Sequence, residues 1–170
     1  LATPGAAPKP GHLGLGLALA SRILGRWQGS LEVVNNKGPG ATVAILCGKG
    51  NNGGDGFVAA RHLAIAGARP TCYLFGRIEE LRGKGDAGVH LEACLRMGVD
   101  VVEAGEMPAE QVGAACTLCA LVVDALFGTG LDRPLRAPWT GLIQAVNGCE
   151  RPINTLTSCG GCGAEEIKRS

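Results

Sequence analysis

The sequence predicts an α/β fold of three layers, a central and mostly parallel sheet between helices. Short apolar runs rich in β-formers alternate with helix-like segments along the chain, the pattern of parallel strands joined by crossover helices. Apolar residues make up 46% of the 170 residues and aromatics only 4%, so Ala, Val, Leu and Ile must build the core. Two glycine-rich loops each follow a predicted strand, where such folds bind ligands. A chain of this length suits one domain.

The elements follow in order. After the breaker cluster "NNKGPG", Thr42 to Gly48 is a short apolar run that reads as the first strand. Asp55 to Gly67 follows as a helix, with Phe57, Val58, Ala60, His62 or Leu63, and Ile65 on its apolar face and Gly67 ending it. "RPTCYLFG" is the second strand, and Pro70 is tolerable at its start. Lys84 to Gly98 is a helix and Val99 to Ala104 the third strand. Ala109 to Thr117 is helical, Cys119 to Gly128 the fourth strand, Ala137 to Gly148 a helix, and "RPINTL" the last strand-like stretch.

Three regions are expected. Residues 1–12 are a low-complexity, flexible segment, 13–156 form the domain, and 157–170 are an atypical, disordered tail. The chain opens on Leu1, which predicts a fragment or a processed form. Ala18-Leu19-Ala20 before Ser21 mimics a signal-peptidase site, but the preceding apolar stretch is short and broken by glycine. An N-terminal helix packed on the domain is the better reading.

A formal charge of +1 offers no field for nucleic acid or an anionic membrane. No apolar run reaches the roughly 18 residues that span a bilayer. Of the eight cysteines, Cys47, Cys72 and Cys119 sit in apolar runs, where Cys acts as a small buried hydrophobe. The pairs Cys116-x-x-Cys119 and Cys159-x-x-Cys162 invite a zinc reading. The first pair straddles a helix-to-strand passage and the second lies in a glycine-rich tail, so ordinary reduced thiols are expected. Such thiols fit a cytoplasmic location.

"GKGNNGGDG" carries the chemistry. Gly48, Gly50 and Gly53 have the G-x-G-x-x-G spacing of a Rossmann-like dinucleotide loop. A dehydrogenase also needs an acidic residue at the end of the second strand, and here that place holds Gly76 and Arg77. The loop instead adds the polar side chains of Asn51, Asn52 and Asp55, and "DALFGTGLDRP" brings a second polar loop to the same sheet edge. Asp55 also has a plain structural reading, as a helix N-cap after glycines.

"GKGNNGGDGFVAARHL" followed by "VVDALFGTGL" resembles the NAD(P)H-hydrate epimerases, over a stretch from about Ala41 to Pro152. That family interconverts the epimers of NADH and NADPH hydrated across the reduced ring. The resemblance implies substrate contacts from Asn51, Asn52, Gly53, Gly54 and Asp55. It implies further contacts from Gly128, Thr129, Gly130, Leu131, Asp132, Arg133 and Pro134. It also implies a potassium ion held partly by Asn52 and Asp124, a homodimer, and an ADP- or ATP-dependent NAD(P)H-hydrate dehydratase as pathway partner.

The hydrate is a carbinolamine, so protonating its hydroxyl lets water leave while the ring nitrogen stabilises the cation. One carboxyl can act as acid and then base, and Asp124 is the candidate, with Asn51 and Asn52 orienting the ring. After Ile153 the sequence departs from the family. Thr157 stands where a substrate-contacting Asp is usual, and Gly160 where a Ser helps hold potassium. The N-terminal side lacks the usual methionine–glutamate–asparagine signature. These departures predict a weak or inactive enzyme. The alternatives are a non-catalytic binding or dimerisation module of the same fold, as in messenger-RNA decapping scaffolds, and an NADP-dependent oxidoreductase.

Overall fold

A computed structural model describes residues 40–128 and 135–156. The expected N-terminal segment and helix, the tail from Thr157, and Thr129 to Pro134 lie outside the described residues. The strands are β1 (Thr42–Cys47), β2 (Arg69–Leu74), β3 (Asp100–Glu103), β4 (Leu121–Ala125) and β5 (Ile153–Thr155). The helices are α1 (Asn51–Ile65), α2 (Ile78–Leu81), α3 (Gly85–Arg96), α4 (Ala109–Thr117) and α5 (Trp139–Asn147). The strands form one sheet of order β3-β2-β1-β4-β5, and every pairing is parallel. This is the three-layer α/β fold that the alternation predicts.

β1 lies at the centre, and Val43 to Cys47 are all buried. A strand covered on both faces cannot alternate apolar with polar residues, which explains its unbroken apolar run. Its side chains divide between two cores. Val43, Ile45 and Cys47 pack with Phe57 of α1 and Leu91 and Cys94 of α3. Ala44 and Leu46 pack on the other face with Val112 of α4 and Leu142 and Val146 of α5.

Two departures matter for the site. The short helix α2 was not expected. Helix α1 begins at Asn51, four residues ahead of the expected Asp55. The Asn-Asn-Gly-Gly-Asp stretch therefore forms the first turns of a helix, where glycine usually costs about 1 kcal/mol relative to alanine. Close packing explains the glycines. A Cβ on Gly53 would stand 1.9 Å from the Gly48 carbonyl oxygen, one on Gly54 3.1 Å from Ala87 Cα, and one on Gly56 2.8 Å from Cys47 Sγ.

Candidate functional site at the ends of the central strands

Neighbouring strands β1 and β4 send their following helices to opposite faces of the sheet. Strand order therefore switches between them, and a crevice opens beyond their carboxyl ends. The first polar loop and the start of the second, Asp124 to Gly128, arrive there. Gly48 makes the first turn possible, since a Cβ would lie 2.0 Å from the Leu126 carbonyl oxygen. The Gly48 N–H donates to the Ala125 carbonyl at 3.0 Å and joins the two strand ends. Gly50 is the N-cap of α1, extended at φ −93° and with no side-chain cap. The first N–H groups of a helix lack partners within it, and they mark a place for an anion.

Asn51 and Asp55 are exposed, whereas Asn52, Gly53 and Gly54 are buried. Asp55 is the fifth residue of α1, so it is not the N-cap and that plain reading is overturned. Asn52 is the first link between the loops. Its amide Nδ2 donates to the Phe127 carbonyl at 2.8 Å, and a Cβ on Gly128 would sit 3.6 Å from Asn52 Cβ. The amide oxygen of Asn52 is thereby turned away from Phe127, because the amide group is planar.

Asp124 is the other deep polar group. Among the described residues the buried polar side chains are Asn52, 9% exposed, and Asp124, 4% exposed. The Leu126 N–H donates to Asp124 Oδ1 at 3.0 Å. Burial pushes the Asp124 carboxyl up to about 6, and the Leu126 N–H and Thr155 hydroxyl pull it partly back. Thr155 comes from β5, in register with Asp124. It escapes sequence reading because nothing local in "RPINTL" says which residue of β4 it will pair.

Phe127 was also missed. Its ring meets Trp139 edge-on, centroids 4.9 Å apart, and Trp139 meets Phe75 at 5.6 Å. Three aromatic rings thus stand in a row against the core on the α4 and α5 face, from just after β4 to just after β2. Nothing local in the sequence signals this row, because the three residues lie far apart in the chain and are brought together only by the fold.

The expected contacts Thr129, Gly130, Leu131, Asp132, Arg133 and Pro134 lie outside the described residues, as do Thr157 and Gly160. Gly53 turns its missing side chain onto the Gly48 carbonyl oxygen, so packing accounts for its identity, while a Cβ on Gly54 would meet Ala87 Cα less severely, at 3.1 Å. At the end of β2 the Lys49 side chain lies over Gly76 and pairs with Glu80 at 3.4 Å. Glu79 pairs with Arg82 at 2.7 Å. Both acidic residues nearest the dehydrogenase position are thus in ion pairs.

The thiols are placed for packing. Cys94 Sγ donates to the Phe57 carbonyl at 3.1 Å and Cys119 Sγ to the Ala115 carbonyl at 3.4 Å. Burial raises Cys116 to about 12, which keeps it a neutral thiol. The six described cysteines are free. Among the described residues no three His, Cys, Asp or Glu side chains gather as a metal site. The oxygens of Asn52 and Asp124 are the donors at hand, and amide and carboxylate oxygen suits a hard cation. No described helix is long and apolar enough to cross a membrane.

Residues 15–157 match the family described as YjeF-related protein N-terminus. The chain belongs to that family. It is 37% identical over 126 residues to an NAD(P)H-hydrate epimerase of Rhodopirellula baltica, covering 71% of this chain and 47% of that protein. It is 41% identical over 107 residues to the Bifunctional NAD(P)H-hydrate repair enzyme Nnr of Thermofilum pendens, covering 63% and 20%. A crystal structure of the yeast protein ynu0 superposes with a TM-score of 0.59 at 27% identity, covering 82% of this chain and 57% of that one. This YjeF-type chain spans about half the length, or less, of the curated relatives it matches.

Proposed function

We propose that this YjeF-type domain epimerises the hydrates of NADH and NADPH, a repair of damaged nicotinamide cofactor. The observation that carries the reading is Asp124, a buried carboxyl raised to about 6 at the switch point. A general acid–base group works best with its pKa near the working pH. In the reaction, protonated Asp124 gives its proton to the hydroxyl on the ring carbon beside nitrogen, and the C–O bond breaks. Water leaves, and the nitrogen lone pair stabilises the resulting cation. Water then adds to either face and returns its proton to the carboxylate. Asn52, fixed by Phe127, and Asn51 orient the ring. Relatives named for hydrate epimerase and hydrate repair support the substrate class.

Potassium belongs to the same proposal. Asn52 would hold the ion, with Asp124 joining it only as a carboxylate, so the ion and the transferable proton compete for that carboxyl. The bifunctional names of several relatives support a hydrate dehydratase as the partner that consumes the product. A homodimer and a cytoplasmic setting complete the reading, the second supported by the free thiols.

The test is direct. Purified S-hydrate of NADPH is incubated with the chain at pH 7, and the R epimer is followed by chromatography. Epimerisation faster than the enzyme-free control, and slower when tetramethylammonium replaces potassium, is the expected result. Equilibration at the control rate would overturn the assignment.

A further inference from the structure

Asp124 has a different neighbour on each side of it in the sheet. In register with it are Leu46 of β1 and Thr155 of β5, and residues in register on parallel strands share a face. Leu46 is fully buried and apolar, so it offers the carboxyl nothing to bond. Thr155 offers a hydroxyl, which donates to the Asp124 carboxyl. We propose that Thr155 is a positioning residue whose hydroxyl fixes the plane of the Asp124 carboxyl toward the substrate, an inference that rests on the repair reading above.

One anchor does not hold a carboxyl. The group turns easily about its Cβ–Cγ bond, because that torsion is broad rather than staggered. The Leu126 N–H holds Oδ1 at 3.0 Å, yet Leu126 lies only two residues along the same chain, and the group can still pivot about that oxygen. Thr155 comes from a separate strand. Two donors from two elements define an orientation where one does not.

The threonine is itself well held. The Leu156 N–H donates to the Asp124 carbonyl at 2.9 Å, so β4 and β5 are joined at this level and cannot slide. Branching at Cβ restricts the χ1 of threonine, which leaves the hydroxyl few directions to take.

Packing does not call for a hydroxyl here. Ile153, two residues earlier and on the same face, packs against the core of α4 and α5. Valine has the shape of threonine and would extend that apolar face. The hydroxyl stands instead beside a carboxyl that is only 4% exposed, where water supplies few other donors. Precision is what it adds, since a misplacement of about 1 Å can cost on the order of a hundredfold in rate.

The test compares Thr155→Val, which keeps the shape and drops the hydroxyl, with Thr155→Ser, which keeps the hydroxyl and drops the methyl. Each is made in the full chain and confirmed folded by its melt. Initial rates of equilibration of R and S NADPH hydrate are measured over a range of hydrate concentrations. Thr155→Val should lower kcat at least about tenfold with KM unchanged, and Thr155→Ser should restore most of that loss. A double-mutant cycle by denaturant titration needs no turnover. In it, Thr155→Val should destabilise the unaltered chain more than it destabilises Asp124→Ala. An unchanged kcat in Thr155→Val, a Thr155→Ser variant as slow as Thr155→Val, a rise in KM alone, or equal destabilisation in the two backgrounds overturns the proposal. The repair reading fails separately: an unaltered chain that equilibrates the hydrate no faster than buffer loses the activity and this role in it, whatever the cycle shows.

Discussion

Between Gly48 and Gly56 the backbone runs so close to its neighbours that Gly48, Gly53 and Gly56 have no room for a Cβ. Between Asp124 and Phe127, on the adjoining strand end, the chain instead carries a buried carboxyl and an aromatic ring. The first turn is a close-packed joint and the second a side-chain site. A glycine-rich loop invites a ligand explanation for each of its glycines, and here the protein's own carbonyls occupy the space at Gly48 and Gly53. Chemistry passes to the residues that kept side chains, and Asn52 is where one turn grips the other.

The contrast can be broken most forcefully at Gly53. Gly53→Ala sets a methyl 1.9 Å from the Gly48 oxygen and should destabilise the fold by about 3 kcal/mol or more. In a thermal melt that is a drop of more than about 6 °C. A melt like that of the unaltered chain would show that the joint is looser than described.

The next effect is at Asp124, and it depends on pH. Its carboxyl sits at about 6 when folded against 3.8 as the ordinary value. The folded state therefore holds more protons than the unfolded one between those values, and stability falls as pH rises from about 4 to 6. The loss levels off at about 3 kcal/mol above pH 7. Asp124→Asn removes this slope, so the variant should be the more stable protein at pH 7 and the difference should vanish near pH 4. Parallel stability curves for the two proteins would refute the burial argument.

Asn52→Ala comes third. It removes the amide that holds Phe127 and leaves a carbonyl with one partner fewer, which costs about 1–2 kcal/mol. It should also slow epimerisation by at least about tenfold, because the second turn loses its tie to the first. A normal rate in a folded variant would separate the two turns. The smallest effect is Gly50→Ser. Nothing lies within 4 Å of a Cβ there, and the hydroxyl can cap α1, so denaturant titration should show a gain of a few tenths of a kcal/mol. A loss would mean that this end of the helix tolerates no side chain.

Much of this was legible in the sequence, for reasons that differ by region. All five strands were found, because apolar runs bounded by glycine, proline and asparagine are local signals. The start of α1 was misplaced because glycines 53 and 54 argue against a helix unless one knows what packs on them, and Ala87, which packs on Gly54, is distant in sequence. Asn52 and Asp124 were visible as polar residues where bare backbone or apolar strand was expected. Thr155 and the contact of Phe127 with Trp139 were invisible, since strand register and aromatic stacking are set by the tertiary fold.

The central claim is that Asp124 moves the proton. The measurement is the equilibration of R and S NADPH hydrate at pH 7 by the unaltered chain and by Asp124→Asn, each confirmed folded by its melt. The expected result is a fall of at least about a hundredfold, the low end for loss of a general acid–base. An Asp124→Asn variant that equilibrates the epimers as fast as the unaltered chain would contradict the claim.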